Sequence, residues 1–61
     1  MNKTITGGTG KHLFRAKFTD GWAVSIWYYF KADQKEDVYK LAEDLGFFQA
    51  WERIEHLECL R

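Results

Sequence analysis

The sequence predicts a single α+β domain, a three-stranded antiparallel sheet in the order β-β-α-β with one helix packed on one face. Alternating side chains on either side of Asp20-Gly21 are typical of a β-hairpin. A segment with a helix start signal and helical apolar spacing follows at residues 33–46. The 61 residues suffice for one domain, and the single cysteine allows no disulfide within the chain.

Residues 1–11 are small and polar, with three glycines in the four positions from Gly7 to Gly10. Glycine leaves the backbone free, and polar chain ends are often poorly ordered. The composition therefore predicts a flexible N-terminal arm over residues 1–11 and places the α+β domain at residues 12–61.

The hairpin strands are expected near residues 12–19 and 22–31. A two-residue loop at Asp20 and Gly21 mixes apolar and charged side chains on both faces, whereas a three-residue loop from Thr19 to Gly21 leaves one face wholly apolar. Because a one-residue slip exchanges the faces, the apolar face selects the three-residue loop, with a left-handed Gly21 in a β-bulge. The expected core face is then Phe14, Ala16, Phe18, Trp22, Val24, Ile26, Tyr28 and Phe30.

The opposite face of this hairpin is expected to stay outside the core. It combines aromatic and cationic side chains, a composition that indicates a binding surface. Its members are Leu13, Arg15, Lys17, Ala23, Ser25, Trp27, Tyr29 and Lys31.

The helix is expected to begin at Asp33 as the N-cap, with Glu36 three residues later completing a capping box. Gly46 is expected to end it in the left-handed conformation. The buried stripe repeats at helical spacing and consists of Val38, Leu41, Ala42 and Leu45.

The last segment, residues 48–61, admits two interpretations. A second helix would place five apolar residues on one face, but there is no Ser, Thr, Asp or Asn cap between Gly46 and Trp51. A third strand needs no cap and covers an open edge of the hairpin. We therefore predict a strand near residues 49–58, antiparallel to the first strand, which gives the order third, first, second.

No sequence motif meets the requirements of a catalytic or cofactor site. The run Gly7 to His12 lacks the first glycine of a phosphate loop and the Ser or Thr after Lys11. His56 and Cys59 point to opposite faces of a strand, and zinc needs four ligands. Glu52, Glu55 and Glu58 are typical of a charged edge that resists aggregation. We therefore expect no enzyme, metal or cofactor.

Charge is unevenly distributed although the total is zero. Residues 1–31 carry five cations and one carboxylate (+4), whereas residues 32–61 carry four cations and eight carboxylates (−4). Such a dipole orients an encounter with a partner. The chain also has eleven aromatic residues, more than a three-element core can hide. No run of about 18 apolar residues occurs, so no membrane span is expected.

These features favour a protein partner. Self-association into a homodimer is the first alternative, and single-stranded nucleic acid is less favoured because zero net charge provides little non-specific affinity. The expected partner-binding residues are Leu13, Arg15, Lys17, Trp27, Tyr29, Lys31 and Arg53.

The pattern of the chain resembles small bacteriophage-encoded inhibitor proteins, a class that includes the early phage inhibitor of bacterial RNA polymerase and small anti-CRISPR proteins. The likeness covers Leu13 to Leu60: an aromatic first strand, a short acidic helix containing Lys40 to Glu43, a Gly46-Phe47 entry and Cys59 near the end. It implies a non-catalytic inhibitor that binds a bacterial protein complex in the cytoplasm of the host. In the polymerase inhibitor the last strand is basic, whereas only Arg53 provides a cation there in this chain.

Overall fold

The computed structural model describes residues 5–61. Its elements are strand β1 (Ile5–Gly7), strand β2 (His12–Thr19), strand β3 (Tyr28–Ala32), helix α1 (Lys35–Asp44), helix α2 (Phe47–Ala50) and strand β4 (Arg53–Cys59). The strands form one mixed sheet in the order β1-β3-β2-β4. The α+β class is confirmed. The finer prediction is wrong, because the sheet has four strands instead of three, β1 pairs in parallel, and a second short helix is present.

The central strand β2 pairs antiparallel with β3 on one side and with β4 on the other. The predicted last strand and its place beside the first hairpin strand are therefore confirmed. It spans Arg53–Cys59 instead of residues 49–58, because residues 49 and 50 belong to the short helix α2 and residues 51 and 52 connect that helix to the strand. Gly46 precedes α2 and has φ of 87°, the left-handed conformation predicted for it.

Strand β1 is the element that the sequence analysis did not anticipate. Ile5–Gly7 pairs parallel with β3, where an arm was expected, and residues 1–4 of that arm lie outside the described residues. The following glycines allow this approach: a Cβ on Gly8 would lie 1.9 Å from the Lys31 carbonyl oxygen, and one on Gly10 would lie 2.0 Å from the Ala32 carbonyl carbon. The glycines therefore bring the backbone of residues 8–10 against the end of β3.

The hairpin register differs from the expected one. Phe14 pairs with Phe30 and Ala16 with Tyr28, so the strands are joined by a long connection in place of a three-residue loop. Thr19 bridges Val24, which closes a four-residue turn, and the pairing then shifts by one residue before β3 begins. The four-residue turn alone would exchange the two faces of β3. The extra residue reverses this exchange, so Tyr28 and Phe30 lie on the core side as predicted.

Polar side chains explain the longer connection. The Thr19 hydroxyl donates to the Ala23 carbonyl at 2.7 Å, and the Phe18 amide donates to the Ser25 hydroxyl oxygen at 2.8 Å. Ser25, expected on the outer face, is consequently buried. Gly21 has φ of 97°, so its predicted left-handed conformation is correct although the loop length was not.

The core lies between the sheet and the helices. Phe18 stacks on Phe47 with ring centroids 4.5 Å apart and meets Phe30 edge-on at 6.4 Å. The buried apolar residues are Phe14, Ala16, Phe18, Phe30, Ala32, Val38 and Ala42. Three residues expected in the core, Trp22, Val24 and Ile26, are instead exposed because the connection between β2 and β3 carries them beyond the sheet.

Helix α1 buries the expected stripe only in part. Val38 and Ala42 are fully buried, whereas Leu45 is half exposed at the end of the helix. The N-cap is Gln34, without a side-chain cap bond, because the Asp33 carboxylate instead accepts a bond from the Lys11 amide at 3.1 Å. The predicted capping box is therefore wrong, and Asp33 helps to hold the segment before β2.

Candidate protein-binding surface

The side of the sheet opposite the helices forms a polar and aromatic surface, which we call the outer face. Pairing places Leu13 opposite Lys31 and Arg15 opposite Tyr29, and residues directly opposite each other share a face. Strand β4 adds His56 opposite Lys17 and Glu58 opposite Arg15. The structure thus brings together six of the predicted partner-binding residues: Leu13, Arg15, Lys17, Trp27, Tyr29 and Lys31.

Trp27 lies at the centre of the outer face. The Arg15 guanidinium carbon is 4.0 Å from the Trp27 ring centroid, and the Lys17 ammonium nitrogen is 4.8 Å from it. The His56 ring is tilted toward the same indole, with centroids 6.3 Å apart. Cations attracted to the ring quadrupole hold the indole in one orientation.

Arg15 also forms an ion pair across the sheet. Its Nε lies 2.5 Å from Oε1 of Glu58, and this hydrogen bond, with a smaller contribution from Tyr29, raises the pKa of Arg15 above its ordinary value. The guanidinium is therefore shared between a carboxylate and an aromatic ring. Its position is fixed, but much of its charge is already compensated within the protein.

Beside the outer face lies the connection between β2 and β3, residues 20–27, which we call the apolar loop. Trp22 is 96% exposed, Ile26 is 72% exposed and Val24 is 50% exposed. Val24 bridges Thr19 at the end of β2, the strand that carries Arg15 and Lys17 on the outer face. The exposed apolar side chains of the loop, which were predicted to lie in the core, therefore lie at the end of the sheet beside Lys17.

The apolar loop is held by hydrogen bonds despite its exposure. Oδ1 of Asp20 accepts the amides of Trp22 at 2.8 Å and Ala23 at 2.9 Å. These bonds stabilise the carboxylate and lower the pKa of Asp20, and the bond from Ala23 has the larger effect. The tryptophan is therefore presented on a turn of defined shape.

We predict that acid loosens this turn. Because the folded pKa of Asp20 is depressed, the carboxylate bonds are fully present above the unfolded pKa and are lost as the pH falls through the lower folded value. NMR titration should show the amide resonances of Trp22 and Ala23 moving together with a midpoint below the ordinary aspartate range. In Asp20→Asn, which keeps an acceptor oxygen but does not titrate, these shifts should vanish, and their persistence would contradict the assignment.

Arg53, the seventh predicted site residue, is placed differently. It begins β4 opposite Thr19, near the apolar loop, and its guanidinium pairs with Glu52 at 2.7 Å and with Glu55 at 3.7 Å. It is separated along the sheet from Leu13 and Lys31, which pair at the other end of β2. Arg53 therefore belongs to the rim of the surface beside the loop.

Residues 5–61 show no arrangement typical of a metal or membrane-spanning site. No group of three or more His, Cys, Asp or Glu side chains there is arranged to hold a metal ion. A shallow depression beside Gly8 and Gly10 is lined by both lysines and aspartates, and the glycine backbones pack against β3. Among the same residues, no helix has the length and apolar character needed to cross a bilayer.

Comparison with known proteins gives no match: no protein-family model, curated protein or solved structure is significantly similar to this chain.

Proposed function

We propose that this protein is a non-catalytic protein-binding module that docks its outer face and apolar loop on a protein partner. The observation that carries the proposal is the exposure of Trp22 (96%) and Ile26 (72%) on a hydrogen-bonded loop. Exposed apolar patches usually mark interaction sites, and tryptophan is among the commonest hot-spot residues of interfaces.

The order of the loop also favours tight binding. A flexible segment loses conformational entropy when it docks, whereas a segment already held in one shape loses less. The bonds to Asp20 and Ser25 fix the backbone on both sides of the exposed side chains. Trp27, clamped by Arg15 and Lys17, provides a second fixed aromatic group on the adjoining face.

The same contacts make a nucleic-acid platform the less favoured alternative. A base that stacked on Trp27 would compete with the Arg15 guanidinium, which lies 4.0 Å from the ring centroid. Arg15 is also paired with Glu58, so it is a weak phosphate ligand. Aromatic side chains flanked by compensated charges fit a protein interface better.

The resemblance to phage inhibitors extends the proposal to a biological role. A small binding domain with a rigid aromatic surface acts by occupying a site on a larger assembly. We propose that the target is a bacterial protein complex, such as RNA polymerase or a defence complex, and that this protein inhibits it in the cytoplasm of the host.

The proposal is tested by capture followed by affinity measurement. The immobilised protein is incubated with bacterial lysate, retained proteins are identified by mass spectrometry, and the best candidate is purified for binding assays. We predict that Trp22→Ala raises the Kd about 30-fold, because a hot-spot side chain contributes about 2 kcal/mol or more. The melting temperature should not change, because Trp22 is 96% exposed.

Tyr39→Ala is the matched control, because Tyr39 is an aromatic residue of α1, 46% exposed and away from the outer face. It should bind as tightly as the wild type. Equal binding by both variants would refute the proposed surface. Saturable binding of single-stranded oligonucleotides with a steep salt dependence would instead support the nucleic-acid alternative.

A further inference from the structure

The outer edge of β4 is the longest open strand edge in the described part of the sheet. β4 has seven residues and pairs only with β2, whereas β1, at the opposite edge, has three. An open edge presents unpaired amide and carbonyl groups that can pair with another strand. The edge can therefore accept another β-strand.

The direction of the β4 backbone groups follows from bonds on β2. The Leu60 amide donates to the Leu13 carbonyl at 2.7 Å, so these two residues form a hydrogen-bonded pair. Hydrogen-bonded and non-hydrogen-bonded pairs alternate along an antiparallel ladder, which makes Ala16–Leu57 a non-hydrogen-bonded pair. The amide and carbonyl of Leu57 therefore point away from β2, to the open edge. Phe18 uses its own amide and carbonyl for Ser25 on the other side. Its β4 partner, Ile54, therefore also directs its backbone groups to the open edge.

A bulge at Glu55 determines the faces of β4. The pairing with β2 steps from Lys17–His56 to Phe18–Ile54, so one residue of β4 is extra at this point. Residues opposite Phe14, Ala16 and Phe18 share the helix side, and residues opposite the alternating positions of β2 share the outer face. The first set is Ile54, Leu57 and Cys59, and the second is Arg53, His56 and Glu58.

From this geometry we infer that two copies of the chain form a symmetric dimer by antiparallel pairing of their β4 edges. In the inferred register, Ile54 lies opposite Leu57 of the second copy, and their outward backbone groups form the ladder. Arg53 then lies opposite Glu58 of the second copy on the outer face, twice by symmetry. Glu55 lies opposite His56 of the second copy beside the two-fold axis.

The two faces of β4 and its charged side chains both favour this register. A shift of one residue in either direction would place Ile54, on the helix side, opposite His56 or Glu58, on the outer face. In this register Glu58 lies opposite Arg53 of the second copy, and no glutamate of β4 lies opposite another, whereas a shift of one residue toward the start of the strand would place Glu55 opposite Glu55. Charge complementarity therefore identifies a second copy of the chain as the occupant of the edge.

The ion pairs within one chain leave Arg53 and Glu58 able to pair with a second copy. Arg53 is 56% exposed in its side chain and bonds only nearby exposed glutamates, pairs that contribute little in water. Glu58 is held by Arg15, but a carboxylate has acceptor sites for a second guanidinium. The dimer would thus join two outer faces into one surface across an eight-stranded sheet.

A charge-swap experiment tests the dimer by analytical ultracentrifugation. The molecular mass of the wild type in solution should be twice that of the monomer. Arg53→Glu and Glu58→Arg should each be monomeric, because each variant places two like charges opposite each other at positions 53 and 58, twice by symmetry. An equimolar mixture of the two variants restores both attractive pairs and should form a heterodimer. Trp27→Ala, on the outer face, is the control and should remain dimeric.

A disulfide provides a second readout that does not alter Arg53 or Glu58. The register places residue 52 opposite Cys59 of the second copy, so Glu52→Cys should form a covalent dimer on mild oxidation. Within one chain these positions are about 20 Å apart along the strand, too far for a disulfide. Glu36→Cys, on α1, should not crosslink.

Three results would overturn the inference. These are a monomeric wild type, a folded charge-swap pair that stays monomeric when mixed, and Glu52→Cys crosslinking no faster than Glu36→Cys. Loss of the dimer in Trp27→Ala, with the charge variants still dimeric, would also overturn it by assigning the contact to the outer face.

Discussion

Phe18→Ala is expected to lower the free energy of unfolding by about 3–5 kcal/mol, a large part of the stability of so small a domain. Phe18 is fully buried and contacts four aromatic rings, the nearest being Phe47 at 4.5 Å between centroids. Truncation leaves a cavity between the sheet and α2 that rigid neighbours cannot fill. Urea denaturation followed by circular dichroism measures the loss.

Lys17→Ala is the adjacent control on the opposite face of the same strand. Its ammonium lies 4.8 Å from the Trp27 ring centroid, a single cation–π contact, so the loss should be below about 1 kcal/mol. If the two variants were equally unstable, the division of β2 into a core side and an outer side would be wrong.

Gly8→Ala is expected to be the second most damaging change, with a loss of more than about 2 kcal/mol. Gly8 has φ of 95°, and a Cβ there would lie 1.9 Å from the Lys31 carbonyl oxygen, so alanine faces both backbone strain and a backbone clash. The expected consequence is separation of residues 8–10 from β3, measurable as loss of amide protection in β1.

Gly21→Ala provides a control with the same backbone conformation and no clash. Its φ is 97°, but a Cβ would have no atom within 4 Å. It should therefore cost only the strain of positive φ, about 1 kcal/mol. Similar losses for Gly8→Ala and Gly21→Ala would show that the contact with β3 contributes nothing.

Local signals were sufficient for strand β2, for the left-handed conformation of Gly21 and Gly46 and for the pairing of β4 with β2. The alternation of Phe14, Ala16 and Phe18 predicted the core side of β2, and the missing helix cap predicted a strand at the end of the chain. Strand β1 was missed because its pairing is long-range and parallel, and glycines at a close backbone approach look the same in sequence as glycines in a flexible segment.

The candidate site was predictable in its strands but not in its loop. Counting apolar residues favoured a short turn, since that register buried Trp22 and Ile26. The structure instead satisfies the side chains of Thr19, Asp20 and Ser25, which form hydrogen bonds with the backbone of Ala23, Trp22 and Ile26 in the connection. Side-chain bonds to the backbone compete with apolar pairing, and the pattern of hydrophobic residues alone does not reveal which of the two prevails.

The unequal lengths of the two sheet edges bear on how far any self-assembly of this protein can proceed. Once two seven-residue strands pair across a two-fold axis, the free margins of the joined sheet, among residues 5–61 of each copy, are two copies of β1, each three residues long and followed by glycine. So short a margin offers few backbone groups to a third molecule. Association through this sheet should therefore stop at a closed pair and not extend into a fibre, although the chain is rich in aromatic residues.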